Sequence, residues 1–269
     1  MVLCIISLTS YAQSNFYANI GAGFTIPSRN SDFTDNSSFV IYGPTTAPSG
    51  VSIFNLPNVN WENNYKNGFN LNMAIGHRFS LSWNSDIEFL YQRFKRTVSG
   101  SYRFIEYDAI STQTIETKDG IPITPSTGNV NVYSLLTNGY YNFNNSSKWA
   151  PLLGAGFGIA WFKAGSTTAT GSFTTPLNTT PTPTLQQSPA LSGTAAAWQF
   201  KAGFSYAWNH STSIIMQYRL FATSQFIAKS SSIITNPNLG SSSRKFSVSQ
   251  HTIKGLVTNA IEVVMQFDL

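Results

Sequence analysis

Charge is what this chain has least of. Lys, Arg, Asp and Glu make up 10% of its 269 residues, where ordinary soluble domains carry roughly 25%. That is too little ionic surface for a soluble protein of this size. Cysteine occurs once, as Cys4, so a disulfide framework or thiolate metal site is excluded once the first residues are removed. No apolar run reaches the ~18 residues a membrane-crossing helix needs, and mean hydropathy is close to zero. What is present is aromatic side chains, 14% of the total, with abundant Ser, Thr, Asn and Gly. Membrane-crossing strands reconcile these facts, because only alternate residues of such a strand must be apolar.

The stretch Trp149–Phe162 has that form. Trp149, Pro151, Leu153, Ala155, Phe157, Ile159 and Trp161 make one apolar face, and Leu152, Gly154, Gly156, Gly158, Ala160 and Phe162 make a nearly empty one. Successive strand side chains point to opposite sides, whereas three glycines in five residues would cost a helix ~1 kcal/mol each. Two-faced alternation recurs at 16–26, 69–78, 85–92, 133–143, 198–208, 214–221 and 257–269. Between these segments lie polar, Pro-, Gly-, Ser- and Thr-rich stretches at 27–66, 99–129, 164–194 and 228–254, and short turns near 80–84, 144–148 and 209–212. Long and short connections therefore alternate strictly. The expected fold is all-β: an eight-stranded antiparallel up-and-down transmembrane β-barrel spanning 13–269, with long extracellular loops and short periplasmic turns.

Residues Met1–Ala12 form a short apolar run ending Ser10-Tyr11-Ala12, which reads as the end of a signal peptide cleaved before Gln13. Basic residues are missing from its start, which points to a translation start upstream of Met1. The net charge is +5, but Lys and Arg are scattered rather than clustered, which argues against nucleic-acid binding.

The segments Pro151–Gly158, Gln217–Leu220 and the alternating tail Ile261–Leu269 resemble the eight-stranded outer-membrane barrels of Gram-negative bacteria, of the OmpA/OmpX and surface-antigen type. The resemblance implies export to the outer membrane, assembly by the barrel-assembly machinery, no cofactor, and loops that meet a host or other extracellular ligand. Such tails usually end in an aromatic residue; this one ends in Leu269, with Phe267 two positions earlier.

In this phase Glu88, Lys201, Arg219 and Glu262 point into the lumen near one level. Two acids and two bases in so narrow a barrel are expected to pair, either as a structural plug or as a gate that lets small solutes through. Arg78 and Asp86 are expected to form a second inward pair near the periplasmic end. Sorting the bases by side places Lys66, Arg93, Lys95, Arg96, Lys163, Lys229 and Lys254 at the outer rim, either contacting lipopolysaccharide phosphates or carrying solvated loop charge.

A catalytic role has little support. The histidines His77, His210 and His251 fall in three different places, which argues against a His-based metal site. A lipid-modifying hydrolase would need Ser, His and an acid in contact. His210-Ser211 lies on the periplasmic side, and His251 with Ser247 or Ser249 has no acid placed near it. The expected role is a surface-exposed antigen- or adhesin-like barrel with a plugged lumen; the alternatives are a narrow porin-like channel and an outer-membrane lipid-modifying enzyme.

Overall fold

Alternation becomes geometry in eight long strands. The structure, a computed structural model, describes residues 15–28, 33–35, 39–42, 53–56, 59–107, 114–143, 147–165, 167–168, 184–187, 191–235, 244–253 and 255–269. The signal-peptide segment 1–12 lies outside them. The barrel strands are β1 (Phe16–Pro27), β2 (Val59–Arg78), β3 (Trp83–Tyr107), β4 (Thr114–Asn142), β5 (Trp149–Ala164), β6 (Leu191–Ala207), β7 (Thr212–Thr223) and β8 (Val257–Asp268). Each pairs antiparallel with its successor. β8 pairs back onto β1, from Tyr17 opposite Asp268 to Pro27 opposite Thr258. The sheet closes on itself, so the ladder bonds are made between strands, as lipid requires.

Side chains of the described strands sort by parity. The outward face holds large apolar residues in the open, among them Ile75 (65% exposed), Phe157 (72%) and Ile261 (63%). Aromatics collect in two belts. At the short-turn end, Trp83 packs on Tyr141 and Trp149 on Tyr206, with ring centroids 5.0 and 4.7 Å apart. At the other end, Phe69 packs edge-on to Tyr91, and Tyr91 packs against Tyr133. Trp83 and Tyr91 are eight residues apart on one strand. At ~3.4 Å per residue and a tilt of ~40°, the belts stand about 20 Å apart, close to an outer-membrane apolar band. Inside, the pattern changes: among the described residues 18 polar or charged side chains are buried beside 22 apolar ones.

Strand structure extends further than apolar alternation indicates. The expected loops 27–66 and 99–129 contain the start of β2, the far end of β3 and the first half of β4, which pair well beyond the aromatic belt. Overlapping the expected loop 228–254, Phe226–Thr235 pairs antiparallel with Arg244–Ile253. Backbone pairing needs no apolar face once a strand has left the lipid, so hydrophobic period cannot mark where it ends.

Candidate functional site

The inward faces of β3, β6, β7 and β8 bring Glu88, Lys201, Arg219 and Glu262 into one network. Arg219 is fully buried, and its guanidinium reaches Glu262 through Nε (2.6 Å) and Nη2 (2.9 Å), Glu88 through Nη2 (2.6 Å) and Gln199 through Nη1 (2.5 Å). Lys201 Nζ donates to Glu88 and to the Tyr140 hydroxyl, both at 2.8 Å. Charges so far from water are tolerated only when paired and hydrogen-bonded, and every member here is. Three neutral amides complete the set. Gln217 donates to Glu262 (2.8 Å), Gln199 to Glu88 (2.7 Å) and to Asn138 (2.6 Å), and Asn138 to Asp86 (2.6 Å) and Glu88 (3.0 Å). Gln199, Asn138, Gln217 and Tyr140 are missing from the sequence-based set. The signal for them was present: each is a polar or amphipathic residue at an inward position of an alternating strand.

The network divides the lumen. Toward the long-loop end, Leu90, Phe94, Val132, Leu136, Phe162 and Phe221 belong to one buried apolar cluster. Toward the short turns lies a cavity of about 170 Å³ lined by Tyr17, Asn19, Asn72, Asn84, Asp86 and others.

Arg78 and Asp86 do not pair. Arg78 instead bonds Asp268 at 2.7 Å and Gln266 at 3.0 Å, with its guanidinium 5.3 Å from the centre of the Tyr17 ring. The register explains this: Arg78 is opposite Asn84, and Asp86 is opposite Gly76, so the arginine extends across β1 to β8.

The rim set splits. Arg93, Lys95, Lys66 and Lys163 are exposed on the outward face. A bulge between Lys66 and Gly68 turns Lys66 outward, directly opposite Lys95. Arg93 is opposite Asn131, Asn131 opposite Lys163, and Lys163 opposite Ser192, forming one row across β3 to β6. Arg96 is not on this rim. It is 3% exposed and inward-facing, as the parity of Leu90, Gln92 and Phe94 requires. Ser192 pairs with Lys229, whose side-chain surroundings, like Lys254 altogether, lie outside the described residues.

His77 packs between Phe16 and Phe79 at the short-turn belt, and His210 is exposed in the turn before β7. Among the described residues no group of three or more His, Cys, Asp or Glu side chains could hold a metal.

No protein-family model matches the chain, and no curated protein matches it in sequence. Among solved structures it is similar to Neisserial surface protein A (12% identity, TM-score 0.42, covering 95% of this chain and 98% of that one). It is also similar to the outer membrane protein OprG from Pseudomonas aeruginosa (10%, TM-score 0.44, 96% and 98%). A third is Ail, the attachment invasion locus protein of Yersinia pestis (10%, TM-score 0.33, 94% and 99%). By its own closed register, its apolar outside and its polar inside, this chain is an eight-stranded antiparallel up-and-down transmembrane β-barrel.

Proposed function

We propose that the protein is an integral barrel of the Gram-negative outer membrane, with a plugged lumen and a structural or interaction role exerted by its extracellular end. The observation that carries this is the double closure of the lumen: the Arg219–Glu88–Glu262–Lys201 network, backed by the Leu90, Phe94, Leu136, Phe162 and Phe221 layer. A solute path would have to break buried ion pairs and then cross an apolar constriction, which favours the plug over the porin-like alternative. Beyond the belt, the extended β2, β3 and β4 and the paired strands Phe226–Thr235 and Arg244–Ile253 supply a surface for antigen- or adhesin-like contacts. Single-channel recording in planar bilayers tests the closure: a silent membrane is expected, and steady openings would overturn the reading.

The exposed row of Lys66, Lys95, Arg93 and Lys163 is proposed to hold lipopolysaccharide phosphates. Lys66 and Lys95 stand directly opposite one another, and like charges so placed repel unless an anion bridges them. Charge reversal of Lys66, Arg93, Lys95 and Lys163 should strip lipopolysaccharide from the purified protein, while Arg96→Gln should not. Undiminished co-purification after the reversal would remove the rim from this role.

A further inference from the structure

The short-turn cavity is built around an acid that lacks a cation. Four carboxylates (Asp86, Glu88, Glu262 and Asp268) and three bases (Arg78, Lys201 and Arg219) face the lower lumen. Arg219 serves Glu88 and Glu262, Lys201 serves Glu88, and Arg78 serves Asp268. Asp86 is left with neutral donors: Asn138 Nδ2 at 2.6 Å, Asn19 Nδ2 at 3.5 Å and the Tyr140 hydroxyl. It is 3% exposed and lines the cavity, and no Lys or Arg is bonded to it among the described residues. Lys201 lies near enough to act on it electrostatically, but its ammonium bonds go to Glu88 and Tyr140.

A second observation points the same way. Asn72 (5% exposed) and Asn84 (7%) also line the cavity. Asn84 Oδ1, Asn19 Oδ1 and Asn72 Nδ2 are buried polar atoms with no hydrogen-bond partner among the described residues. Buried polar groups are costly when unpaired. Three of them on residues that line the same cavity as Asp86 make a set of complementary valences. Asp86 and the two amide oxygens accept hydrogen bonds, as an ammonium group requires, and Asn72 Nδ2 donates one, which an alkali ion cannot use.

We propose that this cavity is a binding site, open from the short-turn side, for a small organic solute that carries a primary ammonium group and a neighbouring hydrogen-bond acceptor. Asp86 takes the charge, the Asn19 and Asn84 oxygens take N–H bonds, and Asn72 bonds the acceptor. The volume of about 170 Å³ limits the guest to a few heavy atoms or to one end of a longer amine. The apolar layer beyond the network closes the far side, so the solute enters and leaves by the same mouth.

Ethanolamine, which has the ammonium and an adjacent hydroxyl, is the probe. Calorimetric titration of the detergent-solubilised full chain should show saturable binding of ethanolamine. Ethylene glycol, without the charge, and potassium chloride, without the acceptor, should bind at least tenfold more weakly. Asp86→Asn should weaken ethanolamine tenfold or more, and Asn84→Ala severalfold, each variant first checked for folding by heat-modifiable gel migration. If Asp86→Asn does not fold, the Asn84→Ala result and the ethylene glycol comparison decide. No ethanolamine binding to the native protein, equal binding of ethylene glycol, or an Asn84→Ala affinity equal to that of the native chain would overturn the proposal. Potassium binding as tight as ethanolamine would overturn it too, in favour of an alkali-ion site.

Discussion

Replacing Gly156 by alanine adds one methyl group to the inward face of β5 and should cost far more than a methyl group usually does. An alanine Cβ there would stand 1.8 Å from Asn138 Oδ1 and 2.9 Å from the Thr137 carbonyl oxygen. Asn138 cannot simply swing away, because it bridges Asp86, Glu88 and Gln199 at 2.6, 3.0 and 2.6 Å. Two of those bonds go to carboxylates, and hydrogen bonds to charged groups contribute about 1.5–3 kcal/mol each. Their loss amounts to about 3–6 kcal/mol, offset by the ~0.5–1 kcal/mol that strand or helix interiors gain when glycine is removed. A net destabilisation of about 2–5 kcal/mol is expected, read from reversible urea unfolding in micelles. Ala155→Leu, one position away on the lipid face, should stay within about 0.5 kcal/mol, and Gly156→Leu should hurt assembly more than Ala155→Leu. The decisive measurement is the double-mutant cycle: with Asn138→Ala already present, Gly156→Ala should cost less than about 1 kcal/mol. An undiminished cost in that background would refute the steric account, and equal folding of Gly156→Leu and Ala155→Leu would mean the faces are reversed.

Removing one member of the central network should be expensive without opening a pore. Arg219→Leu strands Glu262 and leaves Glu88 with Lys201 as its only cation among the described residues, and loss of a buried ion-pair partner costs about 3–5 kcal/mol; urea unfolding showing under 1 kcal/mol would sink this. Its bilayer conductance should stay silent, because the apolar layer of Phe94, Phe162 and Phe221 remains. Arg78→Gln removes the Asp268 pair together with the Gln266 hydrogen bond and the contact over Tyr17; the paired side chains are 25% and 15% exposed, so a loss of about 1 kcal/mol or less is expected. Asp268→Asn should match it, and the double variant should lose no more than either alone.

Most of this fold could be read in the sequence because lipid and lumen impose opposite demands on alternate residues. The phase assigned to Tyr133, Leu135 and Thr137 against Leu136, Asn138 and Tyr140 is the phase of the structure, since only one choice puts the amide and Leu136 on the same side as the neighbouring strands' polar residues. The reading failed where one of those demands lapses. Above the belt, β3 and β4 continue through register shifts at Val98/Gly100, Tyr102/Phe104 and Glu106/Tyr107 that break the two-residue period, so only backbone pairing records them. Arg96 is legible by parity: strict alternation from Glu88 carries it inward, although its charged neighbours Arg93 and Lys95 face outward. Lys66 shows the opposite case. Its parity points inward, and the bulge at Lys66/Gly68 that turns it outward is a local backbone event that no alternation pattern encodes. The Arg78–Asp268 pair joins the second strand to the last across the barrel seam, and depends on a three-strand register that sequence spacing does not give.

The nearly empty face of β5 is explained by its neighbour. Tyr140, Asn138 and Leu136 on β4 stand opposite Gly154, Gly156 and Gly158 on β5, each large inward side chain facing a residue with none. The same pairing of large with small recurs where Tyr17 faces Gly76, Asn72 faces Gly21, Asn70 faces Gly23 and Gln217 faces Gly203. An eight-stranded barrel encloses only enough space to be filled by side chains, so bulk on one strand must be matched by absence on the next. Placing the glycines sets where the amides and charges reach, and their reach fixes the level at which the lumen closes. At that level the lumen holds Glu88, Lys201, Arg219 and Glu262 by mutual pairing.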